Sequence, residues 1–129
     1  MKAIIHSDGG SRGNPGPAAI GVVVDLPHKK IEIGEKIGVT TNNVAEYRAI
    51  IRGLEEALKN KALEAECYLD SELVVRQING DYRIKDPKMI ELANQVFLLR
   101  DKFDFVTFFS IPRAKNKDAD KMVNKALDA

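Results

Sequence analysis

Ser7-Asp8-Gly9-Gly10-Ser11-Arg12-Gly13-Asn14-Pro15-Gly16-Pro17 joins two apolar runs, Ala3-Ile4-Ile5 and Ala18-Ala19-Ile20-Gly21-Val22-Val23-Val24. Both runs read as strands, over 2–8 and 18–26, the second rich in β-branched residues. The glycines and prolines between them predict a turn that begins directly after the acid. Asp8 then stands at the tip of a strand, beside backbone that carries little side chain. An acid so placed suits a metal ion, and the bare chain beside it suits a charged polymer held close.

Outward from this stretch the pattern continues in period two. Pro27-His28-Lys29-Lys30 reads as a turn, and Ile31, Ile33, Glu35 and Ile37 alternate with polar neighbours. Three strands with short connections predict an antiparallel meander. The period changes after Thr41-Asn42-Asn43, whose side chains suit a helix start. Tyr47, Ile50, Ile51, Leu54, Ala57 and Leu58 follow at helical spacing. Ala65–Asp70 reads as a short buried strand. Ser71 opens a helical stretch to about Asn79, which Gly80 ends. Pro87 begins a helix whose face is Met89, Ile90, Ala93, Val96 and Phe97. Phe103–Ile111 reads as a strand and Asn116–Leu127 as a last helix. The phenylalanines at 97, 103, 105, 108 and 109 read as core rather than as a platform for stacking bases.

This order, β-β-β-α-β-α-α-β-α, predicts an α/β fold with a mixed sheet and helices packed on it. Strands that begin at Lys2 and Ala65 would lie parallel, so Asp8 and Asp70 would meet at one edge, where open α/β sheets commonly place their sites. Glu46 shares a helical stripe with Ala49, Ile50, Gly53 and Ala57. A carboxylate on so apolar a stripe is costly unless paired or bound to metal; the alternative is a capping box with Asn43. Asp120 shares a stripe with Val123, Asn124 and Leu127, although the helix dipole alone accounts for an acid in a first turn. Each acid alone has an ordinary explanation. Together, four acids aimed at one sheet edge would repel and raise one another's pKa, which divalent cations relieve. Mg²⁺ favours oxygen ligands, and a pair of such ions serves in-line displacement at phosphorus. No Cys/His cluster offers zinc, and His6 and His28 belong to no nucleophilic triad.

Composition narrows the class. The chain has 129 residues, 44% hydrophobic and 30% charged, which predicts one soluble domain over 1–129 with its own core. The net charge of +1 does not announce a nucleic-acid binder, so an anionic partner must be held locally. Arg113, Lys115, Lys117, Lys121 and Lys125 read first as a solvated helix face. The lone Cys67 forms no internal disulfide and fits a reducing cytoplasm. No apolar run has the length of a bilayer span, and Ser7-Asp8-Gly9 interrupts the only candidate signal segment.

Asp8-Gly9-Gly10-Ser11 with Gly13-Asn14-Pro15-Gly16-Pro17, Thr40-Thr41-Asn42-Asn43-x-x-Glu46, Tyr68-Leu69-Asp70-Ser71 and Asn116-x-x-Ala119-Asp120 resemble type 1 ribonuclease H. The resemblance runs through nearly the whole chain in order. It implies the ribonuclease H-like fold, a five-stranded mixed sheet, three strands antiparallel and two more parallel, flanked by helices. It implies an endonuclease that cuts the RNA strand of RNA–DNA hybrids with two Mg²⁺, or Mn²⁺. It implies Asp8, Glu46, Asp70 and Asp120 as catalytic metal ligands, and products with 5′-phosphate and 3′-hydroxyl ends. Gly9, Gly10 and Ser11 fall where the family meets the RNA backbone and its 2′-hydroxyls. Asn14 and Thr41 fall at a DNA phosphate, Asn43 at the minor groove, and Ser71 and Asn116 within matched substrate motifs. Hybrid is the implied partner, with other RNA-containing duplexes as a second class, and the monomer is the family's default. The residues alone leave open a module that binds hybrid or double-stranded RNA without cutting it, or a DNA nuclease of the same fold.

The chain departs from the pattern in places. The segment before the last acid, Ile111-Pro112-Arg113-Ala114-Lys115-Asn116, has no His, and Arg113 is the substitute candidate near the scissile phosphate. Gly80-Asp81-Tyr82-Arg83-Ile84-Lys85-Asp86-Pro87 stands in place of a basic protrusion, with Lys85 as candidate phosphate contact. Glu72 occupies a position where many members carry an amide, and the expectation is a member without a separate N-terminal hybrid-binding domain.

Overall fold

The computed structural model describes residues 1–129. Its strands are β1 (Lys2–Ser11), β2 (Gly16–Leu26), β3 (Lys29–Thr40), β4 (Glu64–Leu69) and β5 (Phe105–Ser110). Its helices are α1 (Asn42–Lys59), α2 (Glu72–Ile78), α3 (Pro87–Arg100) and α4 (Lys117–Asp128). The sheet order is β3-β2-β1-β4-β5, antiparallel from β3 to β1 and parallel from β1 to β5. The predicted element order and sheet therefore hold. The first strand is longer than its apolar run suggests. Pairing continues through Gly9↔Ile20, Gly10↔Ala19 and Ser11↔Ala18, so the turn starts at Arg12 and not at Gly9.

Adjacent residues of a strand point to opposite faces, and β2 shows which helix takes which. A side chain at Gly53 of α1 would meet Ile5 and Val22. A side chain at Gly21 would overlap the backbone of α4 at Ala119. Thus α1 lies on one face and α4 on the other, seated closely because Gly21 has no Cβ. The main core lies under α1 and includes Ile5, Val22, Val24, Tyr47, Ile50, Leu54 and Leu69.

Helix α4 packs on β1, β2 and β3. The far part of its face stays open, which corrects the reading of the phenylalanines. Phe103 and Phe108 are buried, but Phe105 is 71% exposed and Phe109 45%. The reason is topological: β5 is an edge strand, and its odd-numbered residues turn toward the uncovered face. Phe109 stacks there on Tyr68 (ring centroids 5.3 Å apart), and Tyr68 stacks on His6 (5.2 Å).

Candidate metal centre

Parallel pairing of β1 with β4 sets His6 opposite Tyr68. Two residues further, Asp8 and Asp70 stand level at the same end of the sheet, as the strand pattern predicts. Glu46 arrives from α1. A Cβ at position 9 would overlap the backbone of Ala45 and Glu46, so Gly9 lets the first turns of α1 press against β1. Thr41 caps α1, its Oγ1 accepting from the Val44 amide at 3.3 Å. That puts Val44, not Glu46, three residues after the cap. The capping-box alternative for Glu46 therefore fails.

The carboxylates of Asp8, Glu46 and Asp70 converge, with oxygens of all three within 4.8 Å of one another. Asp8 and Glu46 are each only 7% exposed, and Glu46 Oε2 is buried with no hydrogen-bond partner. Asp120, on the first turn of α4, stands at the rim of the same cavity of about 370 Å³. Arg113 Nη2 approaches Asp120 Oδ1 at 3.4 Å, so the candidate cation of the loop lies at the rim beside the last acid. Asn124 Nδ2 donates to the Asp120 carbonyl at 3.2 Å.

Electrostatics follow from this crowding. Burial, then the Asp70 charge, pushes Asp8 up to about 7. Burial, then Asp8, lifts Glu46 well above the usual carboxylate range. Burial also raises Asp70, while the Asn116 amide and the Arg113 guanidinium pull it back. All donors here are hard oxygens, and one buried oxygen lacks any partner. That donor set fits a divalent cation that prefers oxygen ligands.

Other expected contacts fall in two groups. Gly9, Gly10 and Ser11 line the acid cavity beside the acids and Arg113. Asn14, Thr41 and Asn43 line a second cavity on the other side of the α1 N-terminus. Ser71 caps α2 through a 3.3 Å bond from the Val74 amide and lines neither cavity. Lys85 is exposed on the α2–α3 connection and also lines neither. The cation in the second cavity is Lys88, because Asp86 caps α3 and sets its first turn against that cavity. Asn116, expected among the substrate contacts, is instead 1% exposed, lines neither of these cavities, and its Nδ2 donates to the Ser7 carbonyl at 2.8 Å.

Sequence reasoning missed Arg12, Asn42 and Asn124, which all line the acid cavity. Asn42 Oδ1 accepts from the Ser11 amide at 2.9 Å, and Asn42's own amide donates to Asn14 Oδ1 at 3.0 Å. These bonds clamp the glycine-rich segment to the start of α1. The available signal was three cap-type residues at 41–43 where a helix needs one. Arg12 pairs with Asp128 at 2.6 Å across the molecule, and no local pattern announces that.

A family model described as Reverse transcriptase-like matches residues 6–126. The chain is 46% identical over 132 residues to the bifunctional protein Rv2228c of Mycobacterium tuberculosis, covering 100% of the chain but 36% of that relative. It thus spans about a third of the length of that curated relative. Among solved structures, RNase H1 from the archaeon Halobacterium salinarum is similar at 38% identity, with a TM-score of 0.95 over 99% of this chain and 98% of that one. LC11-RNase H1, solved in complex with an RNA/DNA hybrid, is similar at 43% identity, with a TM-score of 0.91 over 98% and 96% of the two chains.

Proposed function

Since the chain belongs to the reverse transcriptase-like family and has the ribonuclease H fold, we propose that it is a ribonuclease H, hydrolysing the RNA strand of RNA–DNA hybrids. The observation that carries this reading is the convergence of Asp8, Glu46 and Asp70 around an unpartnered Glu46 oxygen, beside a strand end that exposes backbone. Asp8, Glu46, Asp70 and Asp120 would hold two divalent cations, Mg²⁺ or Mn²⁺. Bound there, such ions supply activation of the attacking water and neutralise charge building on the phosphoryl oxygens.

The chain's own residues do the rest. Gly9, Gly10 and Ser11 offer the RNA strand a surface without bulky side chains, close enough to read 2′-hydroxyls. Arg113 brings a fixed positive charge to the rim beside Asp120, opposite the incoming backbone. Asn14, Thr41 and Asn43, with Lys88, offer hydrogen bonds and one cation to the DNA strand. The acids stay deprotonated when cations are bound, and they exclude other anions from the floor of the cavity. The products carry 5′-phosphate and 3′-hydroxyl ends, and residues 1–129 act as one domain.

A labelled substrate set tests this reading: RNA–DNA hybrid, RNA–RNA and DNA–DNA duplexes of one sequence, each with Mg²⁺ and with Mn²⁺. Hybrid cleavage with products that ligate through a 5′-phosphate is the expected result. Hybrid left intact under both metals would sink the reading.

A further inference from the structure

Asn116 occupies the N-cap position of α4, where an asparagine ordinarily caps its own helix. It does not do so here, and α4 has no side-chain cap. Helices α1, α2 and α3 are each capped, by Thr41, Ser71 and Asp86. Asn116 instead crosses to β1, where its Nδ2 donates to the Ser7 carbonyl at 2.8 Å. Ser7 immediately precedes Asp8.

The same residue reaches the other acids. Its backbone carbonyl accepts from the Asp120 amide at 3.1 Å, which fixes the turn that carries Asp120. Its amide also lies against the Asp70 carboxylate. Asn116 is buried, and both its Oδ1 and the neighbouring Ser7 Oγ lack partners. A fold that forgoes a helix cap and leaves two buried polar atoms unpaired needs a compensating gain at this place.

On the reading that the acids hold divalent cations, we infer that Asn116 is a positioning residue that fixes the mutual spacing of Asp8, Asp70 and Asp120. It ties the strand bearing the first to the helix bearing the last, and it braces the carboxylate between them. Groups standing behind metal ligands act this way, orienting the ligand without touching the ion.

Calorimetric titration of Mn²⁺ into the metal-free chain tests this, with Asn116→Ala, Asn116→Ser and Asn124→Ala beside the parent. Circular dichroism at the titration temperature restricts the comparison to folded protein. Asn116→Ala weakens Mn²⁺ binding by about 10- to 100-fold. Asn116→Ser, which keeps one shorter donor, falls between it and the parent. Asn124→Ala, which loses contact with Asp120 alone, changes affinity least. With hybrid as substrate, kcat at limiting metal falls in step with Mn²⁺ affinity while KM for hybrid stays close to the parent's. A folded Asn116→Ala with parental Mn²⁺ affinity and only a lower melting temperature overturns the inference, since a merely structural role would do that. Should the Ala variant not fold, parental affinity in Asn116→Ser overturns it equally. A parent that binds Mn²⁺ but cuts no hybrid would refute the proposed function and leave the positioning role standing.

Discussion

Two cavities flank the start of α1, and they treat their polar groups in opposite ways. In one, Asp8, Glu46 and Asp70 crowd together, partly buried, with raised pKa values and a carboxylate oxygen that bonds to nothing. In the other, the polar atoms satisfy one another. Asn14 Oδ1 takes the Asn42 amide at 3.0 Å, Thr41 Oγ1 takes the Val44 amide at 3.3 Å, and Asp86 takes the Lys88 amide at 2.8 Å. The first cavity is incomplete without positive charge. The second is preformed and asks only for a partner. On the proposed function, cleavage and grip on the duplex are therefore separable, and the cavities can be broken one at a time.

The largest expected effect comes from the first. Asp70→Asn or Asp8→Asn keeps the side-chain volume and removes a negative charge that the proposed cations would need. Loss of several kcal/mol of charge stabilisation lowers kcat by about a thousandfold or more. Hybrid binding, read by fluorescence anisotropy without divalent ions, persists because the second cavity is untouched. Cleavage by Asp70→Asn in Mg²⁺ at a rate near the parent's would end the assignment of that cavity to catalysis.

A smaller effect separates the cavities by pH. Asp8 is raised to about 7 in the folded chain, from an ordinary carboxylate value near 4 in the unfolded one. Between those values the folded state holds more protons, so stability falls as pH rises through that window. The metal-free protein loses on the order of 4 kcal/mol between pH 4 and pH 8, visible as a melting temperature about ten degrees or more lower. Asp8→Asn flattens this dependence and is the more stable form at pH 8, and saturating Mg²⁺ raises the parent's melting temperature there. A parent whose melting temperature rises steadily from pH 4 to 8 without metal would contradict the strained acid cluster.

The difference between the cavities also explains what the sequence discloses. Asp8 and Asp70 are legible because each ends an apolar strand, and a parallel pairing of those strands leaves them no other place to go. Glu46 is legible because a charge on a stripe of small apolar residues has to be answered by something. The sheet and its order follow from the change of period after Thr41. The motif around Asn116 points to a substrate contact, and only the tertiary bond to Ser7 shows that its side chain turns to the strand behind Asp8. Gly9 and Gly10 look like a turn on composition, yet they continue β1, because pairing to Ala19 and Ile20 outweighs their local preference. Phe105 and Phe109 carry the same apolar signal as Phe108, and nothing local tells that their strand is an edge with one face uncovered. Lys85 and Lys88 differ in role only through the cap at Asp86.

That last pair gives the mildest test of the contrast. Lys88 lines the second cavity with Asn14, Thr41 and Asn43, whereas Lys85 is exposed outside it. A phosphate contact contributes counterion release, so removing it lowers the slope of log K against log salt by about one. Lys88→Ala reduces that slope by about one and weakens hybrid binding severalfold. Its kcat at saturating hybrid stays near the parent's, since the acid cavity is unchanged. Lys85→Ala leaves the slope as it is. If Lys85→Ala took the larger share instead, the connection between α2 and α3 would itself grip the duplex. The second cavity would then be a cap for α1 and α3 with no partner to hold, and the division of labour between the two would fail on its binding side alone.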